Sequence, residues 1–249
     1  MAWLVIAPEA DEAARWAAAG LVGLGLEPLQ VVVDVDLVGA RWTHRIDDDG
    51  VTTLLELVDG RTIDSAELRG TLNRLSFLSP AIVEPLVSDD RLYGLQEMSA
   101  LVMSWLASLP GAVVNPPDPR GLGGAWRSPA EWASLAAEAG VPCAPVYVDS
   151  DADHVTRDGG WLPAGPHAPL LEDVIVVGDA VFCRDDLDPE EVAAFRRLAR
   201  LSGCPLLGVA FADGTHAVDG VTPLPDLRAG GDETVAALAD TLGARRAGS

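Results

Sequence analysis

Apolar positions along the chain change period repeatedly, and each change marks an element. Trp3–Ala7 is a continuous apolar run that stops at Pro8, the pattern of a buried strand. Glu9–Ala19 is rich in Ala and Glu and sets Ala13, Trp16 and Ala17 at helical spacing. Gln30–Val38 is a β-branched run that predicts a central strand. Arg41–Ile46 and Val51–Val58 flank Asp47-Asp48-Asp49-Gly50, which predicts an antiparallel hairpin with a Gly-ended turn. Asp64-Ser65-Ala66-Glu67 predicts a short capped element ahead of Gly70–Leu75. Arg91–Leu109 carries the strongest helical pattern, with Leu92, Leu95, Met98, Leu101, Trp105 and Leu106 making a broad apolar surface. Pro110-Gly111 ends it, and Ala112-Val113-Val114 predicts a short strand closed by Asn115-Pro116-Pro117.

The Pro/Gly-rich stretch Asn115–Gly124 predicts a boundary, with one domain over 1–117 and a second over 125–249. Beyond it Ser128 is a natural N-cap, Pro129 falls at the first helical position, and Glu131 completes a capping box for a helix to Ala139. Val146–Val148 and Val174–Val177 predict strands, and Asp188-Pro189-Glu190-Glu191 opens a helix to about Leu201. Leu206–Phe211 predicts a further strand and Thr234–Leu242 a last helix. Strands alternating with helices give an α/β class.

Composition narrows the function. Of 249 residues 49% are apolar, which excludes a disordered chain even at a formal charge of -21. So acidic a surface repels phosphate backbones and anionic lipid, so neither nucleic acid nor membrane is expected as a partner. All 17 basic residues are arginine. Schiff-base chemistry and a phosphate-binding lysine are thereby excluded. Cys143, Cys183 and Cys204 are odd in number and far apart, so no disulfide framework is indicated and a cytoplasmic chain is expected. The N-terminus has no basic n-region, and no apolar run approaches the ~20 residues of a membrane span.

Several familiar patterns fail on inspection. Gly20-Leu21-Val22-Gly23-Leu24-Gly25 follows a predicted helix and reads as its C-terminal turn, not a dinucleotide loop. Asp149-Ser150-Asp151-Ala152-Asp153 opens like a calcium loop but has His154 and Gly160 where Gly and Glu are needed. The histidines show no ligand spacing, and His44 beside Trp42 reads as cross-strand packing. Cys143 reads as a small residue at a strand start, and Trp16, Trp105 and Trp132 as core. Trp126 and Trp161 fall in loops, where an indole marks a contact surface.

In order along the chain, Thr71-Leu72-Asn73-Arg74-Leu75, the long helix, Val113-Val114-Asn115-Pro116 and Gly140-Val141-Pro142 resemble the ATP-grasp carboxylate–amine ligases, particularly those that mature ribosomal peptides. Leu206–Phe211 is similar to that family's "G-I-D-L" strand, and Gly220–Leu227 to its "E-V-N-P-x-P" segment. The resemblance implies a Rossmann-like pre-ATP-grasp domain over 1–117, then a truncated ATP-grasp-like α/β domain over 125–249 lacking most of the nucleotide lid. It also implies ATP and magnesium as cofactors for a working member.

The departures oppose that chemistry. Where the family has metal-binding Asp, Glu and Asn, this chain has Ala210, Gly220 and Thr222. The family's lysines are absent, and Asp149–Asp173 is short for a lid. The reading is therefore a non-catalytic ATP-grasp-like protein without a cofactor, binding a small ligand or a protein partner. The alternative is an ATP-dependent ligase holding phosphates with Arg127, Arg157 and Arg184, and a third reading is a structural subunit that completes a ligase homologue by dimerisation; a homodimer is the other assembly considered. Asn73, Arg74, Trp126, Arg127 and Trp161 are the candidate ligand residues, because arginine binds carboxylate or phosphate bidentately and exposed indoles anchor partners. For both arginines a plain salt bridge is the competing expectation. Asp149–Pro169 is expected to be a mobile segment anchored on ligand binding by Trp161.

Overall fold

A computed structural model describes residues 1–84, 87–146, 172–212 and 214–243. The expectations for Arg157, Trp161 and the Asp149–Pro169 segment lie outside these residues. The chain divides into two compact units, one of Met1–Ala125 with the chain from Val235 on, the other of Trp126–Thr234.

In the first unit, β1 (Ala2–Ala7), β2 (Leu29–Val33), β6 (Leu68–Asn73) and β7 (Ala112–Val114) form a parallel sheet in the order β2-β1-β6-β7. Every residue of β1 is buried, as a central parallel strand requires. Helix α1 (Glu12–Gly23) starts at Asp11, whose carboxylate accepts from Ala14 N at 2.9 Å. It runs through Gly20, where a Cβ would come within 2.8 Å of Val235 Cγ1, so the glycine-rich run serves close packing and a helix end.

The central strand expected over Gln30–Val38 is corrected here, since β2 is an edge strand of this sheet. It stops at Val33, and Asp34–Gly39 is a helix, α2. Asp36 accepts from Val33 N at 3.2 Å, and Asp34 accepts from Glu9 N at 3.0 Å. Two acids held at a helix N-terminus override the β-branched pattern.

The hairpin of β3 (Arg41–Asp47) and β4 (Gly50–Glu56) forms with its turn, and β5 (Thr62–Asp64) extends it to three strands. Asp64 caps a short 3-10 turn at Ser65–Glu67. Helix α3 (Arg91–Ser108) has Val102, Trp105 and Leu106 fully buried, while Leu92 and Tyr93 are exposed, so its apolar surface is narrower than the pattern predicts. The Trp105 ring meets Trp42 edge-on at 5.3 Å within the core that holds Leu4, Ile6 and Leu55. His44 is tied to Thr53 at 2.8 Å and to Ser104 at 2.9 Å, a polar bridge between hairpin and helix rather than simple packing.

In the second unit, β8 (Val174–Val177), β9 (Ala180–Cys183), β10 (Leu206–Phe211) and β11 (Val218–Thr222) form an antiparallel sheet in the order β11-β10-β8-β9. Helix α4 (Pro129–Ala139) carries the predicted capping box of Ser128 and Glu131, and Gly140 ends it in the left-handed region. Helix α5 (Pro189–Ser202) repeats the device with Asp188 and Glu191. Trp132, Phe195 and Leu198 pack with Val174, Val176, Leu207 and Val209 to form this core. Val146 lies in no strand, the rest of the strand expected over Val146–Val148 lies outside the described residues, and Trp16 is half-buried. Helix α6 (Gly231–Thr241) closes the described fold.

Candidate functional site

Opposed residues of an antiparallel ladder project from the same face, so register sorts the second sheet into two faces. One row, Cys183-Val174-Val209-Val221, joins the core under α4 and α5. The other face carries the row Phe182-Ile175-Gly208-Thr222 and, two residues along, the pair Ala210–Gly220. The three positions that the resemblance assigns to metal binding therefore share this second face.

A magnesium nucleotide does not fit the residues found there. Ala210 and Gly220 offer no side-chain oxygen, and the Thr222 hydroxyl accepts from Leu224 N at 3.1 Å. Among the described residues, no group of His, Cys, Asp or Glu is arranged to hold a metal ion.

The same face borders a cleft of about 280 Å³. Ile175 and Phe182 form its apolar wall, Glu172 and Asp173 enter from the chain ahead of β8, Arg184 follows β9, Gly230 ends the 3-10 turn ahead of α6, and Glu233 lies in the first turn of α6. Glu172 is buried and its Oε1 accepts from Asp226 N at 3.2 Å. Asp173 Oδ2 accepts from Phe211 N at 2.7 Å. Burial pushes the Cys183 thiol up from its ordinary value, and Asp185 and Asp173 also oppose its ionisation, so the neutral thiol is favoured. Burial likewise raises the Cys143 thiol.

The sequence-chosen residues are placed differently. Asn73 is fully buried and donates to Asn115 O at 2.9 Å and Leu122 O at 2.7 Å, tying the end of β6 to the chain after β7. Arg74 is buried, with Nε 2.7 Å from Asp11 Oδ2, and its Nη1 finds no hydrogen-bond partner among the described residues. Arg127 lies over the Trp132 ring at 5.0 Å and donates to Ser202 O at 2.9 Å. Trp126 is exposed at 58%. None of these four lines the cleft.

Of the arginines in the alternative reading, Arg184 does line it. Sequence reasoning missed Glu172, Asp173, Phe182 and Glu233. The missed strand β9 had a signal: Gly178-Asp179 is a two-residue hairpin turn between apolar runs. The carboxylates had none, because the chain gathers them from distant positions.

No family model matches the chain, and no curated protein matches it by sequence. Solved structures do. The ATP-grasp ligase PsnB, complexed with a phosphomimetic variant of its minimal precursor, magnesium and ADP, aligns with a TM-score of 0.66 at 19% identity, covering 99% of each chain. A RiPP-associated ATP-grasp ligase of Chryseobacterium gregarium, in complex with ADP and a leader and core peptide, gives 0.65 at 11% identity, covering 98% of this chain and 97% of that one. Macrocyclase MdnC of Microcystis aeruginosa MRC, bound with precursor peptide MdnA, gives 0.64 at 12%, covering 90% and 92%. The chain has the mixed α/β fold of the peptide-maturing ATP-grasp ligases, as its motif order implied. Among the described residues no helix is long and apolar enough to cross a membrane.

Proposed function

We propose that the chain is a non-catalytic protein of ATP-grasp fold that binds a peptide partner. The pairing of Ala210 with Gly220 carries this reading, because acyl-phosphate chemistry needs carboxylate ligands for magnesium on that face. The absence of lysine from the sequence supports it, since the nucleotide phosphates lose their usual counter-charge. A peptide is favoured as partner because the fold's solved relatives include ligases bound to leader, core and precursor peptides. Calorimetry with ATP and magnesium tests the reading. The expected result is no dissociation constant tighter than about 1 mM, which is about 4 kcal/mol of binding, and no ATP hydrolysis. A magnesium-dependent micromolar constant overturns it.

The rival, an ATP-dependent ligase with arginine in place of lysine, has Arg184 in its favour. Three carboxylates share that cleft, however, and they oppose a polyphosphate. If the rival holds, Arg184→Ala abolishes a nucleotide affinity that the unaltered protein displays.

A further inference from the structure

We infer that the open edge of β3 is a contact between two copies of the chain, whose β3 strands pair antiparallel about His44 and join the two hairpin sheets into one. The inference goes beyond the proposed function and does not depend on it.

The three-stranded sheet runs β3-β4-β5, so β3 has a neighbour on one side only. At seven residues it is the longest edge strand of the three described sheets, and neither a proline nor a register shift interrupts it. A long, regular edge is a template for pairing with another strand. The ladder fixes where its backbone groups point. Thr53 N donates to Ser65 Oγ at 3.0 Å, on the β5 side, so Thr53 turns its backbone away from β3. His44 stands opposite Thr53, and the two residues of such a non-hydrogen-bonded pair both turn outward. By the same alternation Trp42 and Ile46 also point their N–H and C=O groups at the open edge. Among the described residues nothing bonds to these backbone groups.

Pairing about His44 sets the outward residues against one another, Trp42 against the partner's Ile46 and His44 against the partner's His44. Each such pair exchanges two backbone hydrogen bonds. The side chains match in the same register. Arg41 is exposed and has no ion-pair partner among the described residues, and it falls opposite the partner's Asp47. Asp47 Oδ2 already meets Arg45 Nε at 2.5 Å, but a carboxylate has room to accept from a second arginine. Ile46 is 65% exposed and falls opposite the partner's Trp42, on the face that Trp42 and His44 turn to α3. An in-register parallel pairing would set arginine beside arginine and aspartate beside aspartate, so charge selects the antiparallel arrangement. An acidic peptide would suit Arg41 but meet Asp47 and the turn at Asp48-Asp49, whereas a second copy satisfies both ends of the strand. One seven-residue ladder is a small contact, and two chains of formal charge -21 repel, so the dimer belongs with the transient interfaces below roughly 1,200 Å².

Sedimentation equilibrium and amide NMR of the full chain, at concentrations up to about 1 mM, test the contact. The weight-average mass should rise toward twice that of the monomer. The amides of Trp42, His44 and Ile46 should gain exchange protection as concentration rises, while those of Thr43 and Arg45, already bonded to β4, should keep theirs unchanged. Ile46→Lys, at an exposed position, should weaken the dimer about tenfold. Arg41→Glu and Asp47→Arg should each weaken it, and the two together should dimerise more tightly than either alone, with the ion pair restored and its charges exchanged. The double variant carries both local disturbances of the hairpin, so a purely local effect would leave it the weakest of the three. A monomer throughout the range, which would leave the edge to a different chain, overturns the proposal. So does a dimer whose amide changes lie away from β3, an undiminished dimer in Ile46→Lys, or a double variant no tighter than the single ones.

Discussion

Ala210 on β10 stands directly opposite Gly220 on β11, and between them they present one methyl group to the sheet face that borders the cleft. Gly208 and Thr222 form the neighbouring pair on the same face. Ala210 is 9% exposed, so a carboxylate placed there would lose most of its water. Ala210→Asp should therefore destabilise the protein by about 1–3 kcal/mol in urea unfolding. Adding Gly220→Glu sets a second carboxylate across the ladder, within about 5 Å at the Cβ atoms. The double variant should gain Tm on addition of magnesium and the unaltered protein should not. An equal response from both would show that magnesium acts elsewhere.

Trp105 should carry much of the first unit's stability. Its side chain is completely buried, and its indole N–H has no hydrogen-bond partner among the described residues. Trp105→Ala thus loses packing against Trp42 and leaves a cavity, at a cost of about 3–5 kcal/mol. Trp105→Phe should cost clearly less, since it keeps an aromatic ring in the same space. A loss below about 1 kcal/mol for the alanine variant would mean that the site collapses freely.

Arg74 and Asp11 make a testable pair with unequal halves. The Arg74 side chain is 4% exposed and that of Asp11 12%. Asp11 also caps α1 through Ala14 N. Asp11→Ala leaves a buried guanidinium without its counter-ion and removes the cap, so it should cost about 3–5 kcal/mol. Arg74→Met replaces the buried charge with an apolar chain and leaves the cap intact, so it should cost less. The reverse order in urea midpoints would assign Arg74 a role beyond its ion pair.

What the sequence made legible was what short-range chemistry decides. Ser128 with Glu131 and Asp188 with Glu191 announce their helices within four residues, and both capping boxes form. The apolar run Trp3–Ala7, stopped by Pro8, reads as a buried strand, and all of β1 is buried. Asp34 and Asp36 misled because two β-branched stretches outweighed their capping ability on paper, while contacts with Glu9 N and Val33 N decide the fold there. The cleft was illegible for a related reason. Glu172 and Glu233 meet only once β8 and α6 are placed, and no local pattern encodes that meeting. Arg74 could be singled out as a cation, but its partner Asp11 lies 63 residues away.

His216 and Glu191 should make stability depend on pH in a defined window. His216 Nδ1 lies 2.7 Å from Glu191 Oε1, and its ring stacks on Phe211 at 5.1 Å. The hydrogen bond to Glu191 raises the histidine above its ordinary 6.5. The bond to His216 and the capping contact with Asp188 N hold the glutamate below its ordinary 4.5. The histidine's contribution is complete below pH 6.5 and is lost as pH rises through its raised folded value. The glutamate's is complete above pH 4.5 and is lost as pH falls through its lowered folded value. Both therefore act together between pH 4.5 and 6.5. Because both side chains are about a third exposed, the effect is small and weakens with salt. The urea midpoint of His216→Gln should fall below that of the unaltered protein inside this window and converge with it by about pH 9. A difference that stays constant from pH 5 to pH 9 would mean that the Phe211 stack, and not the ion pair, holds His216 in place.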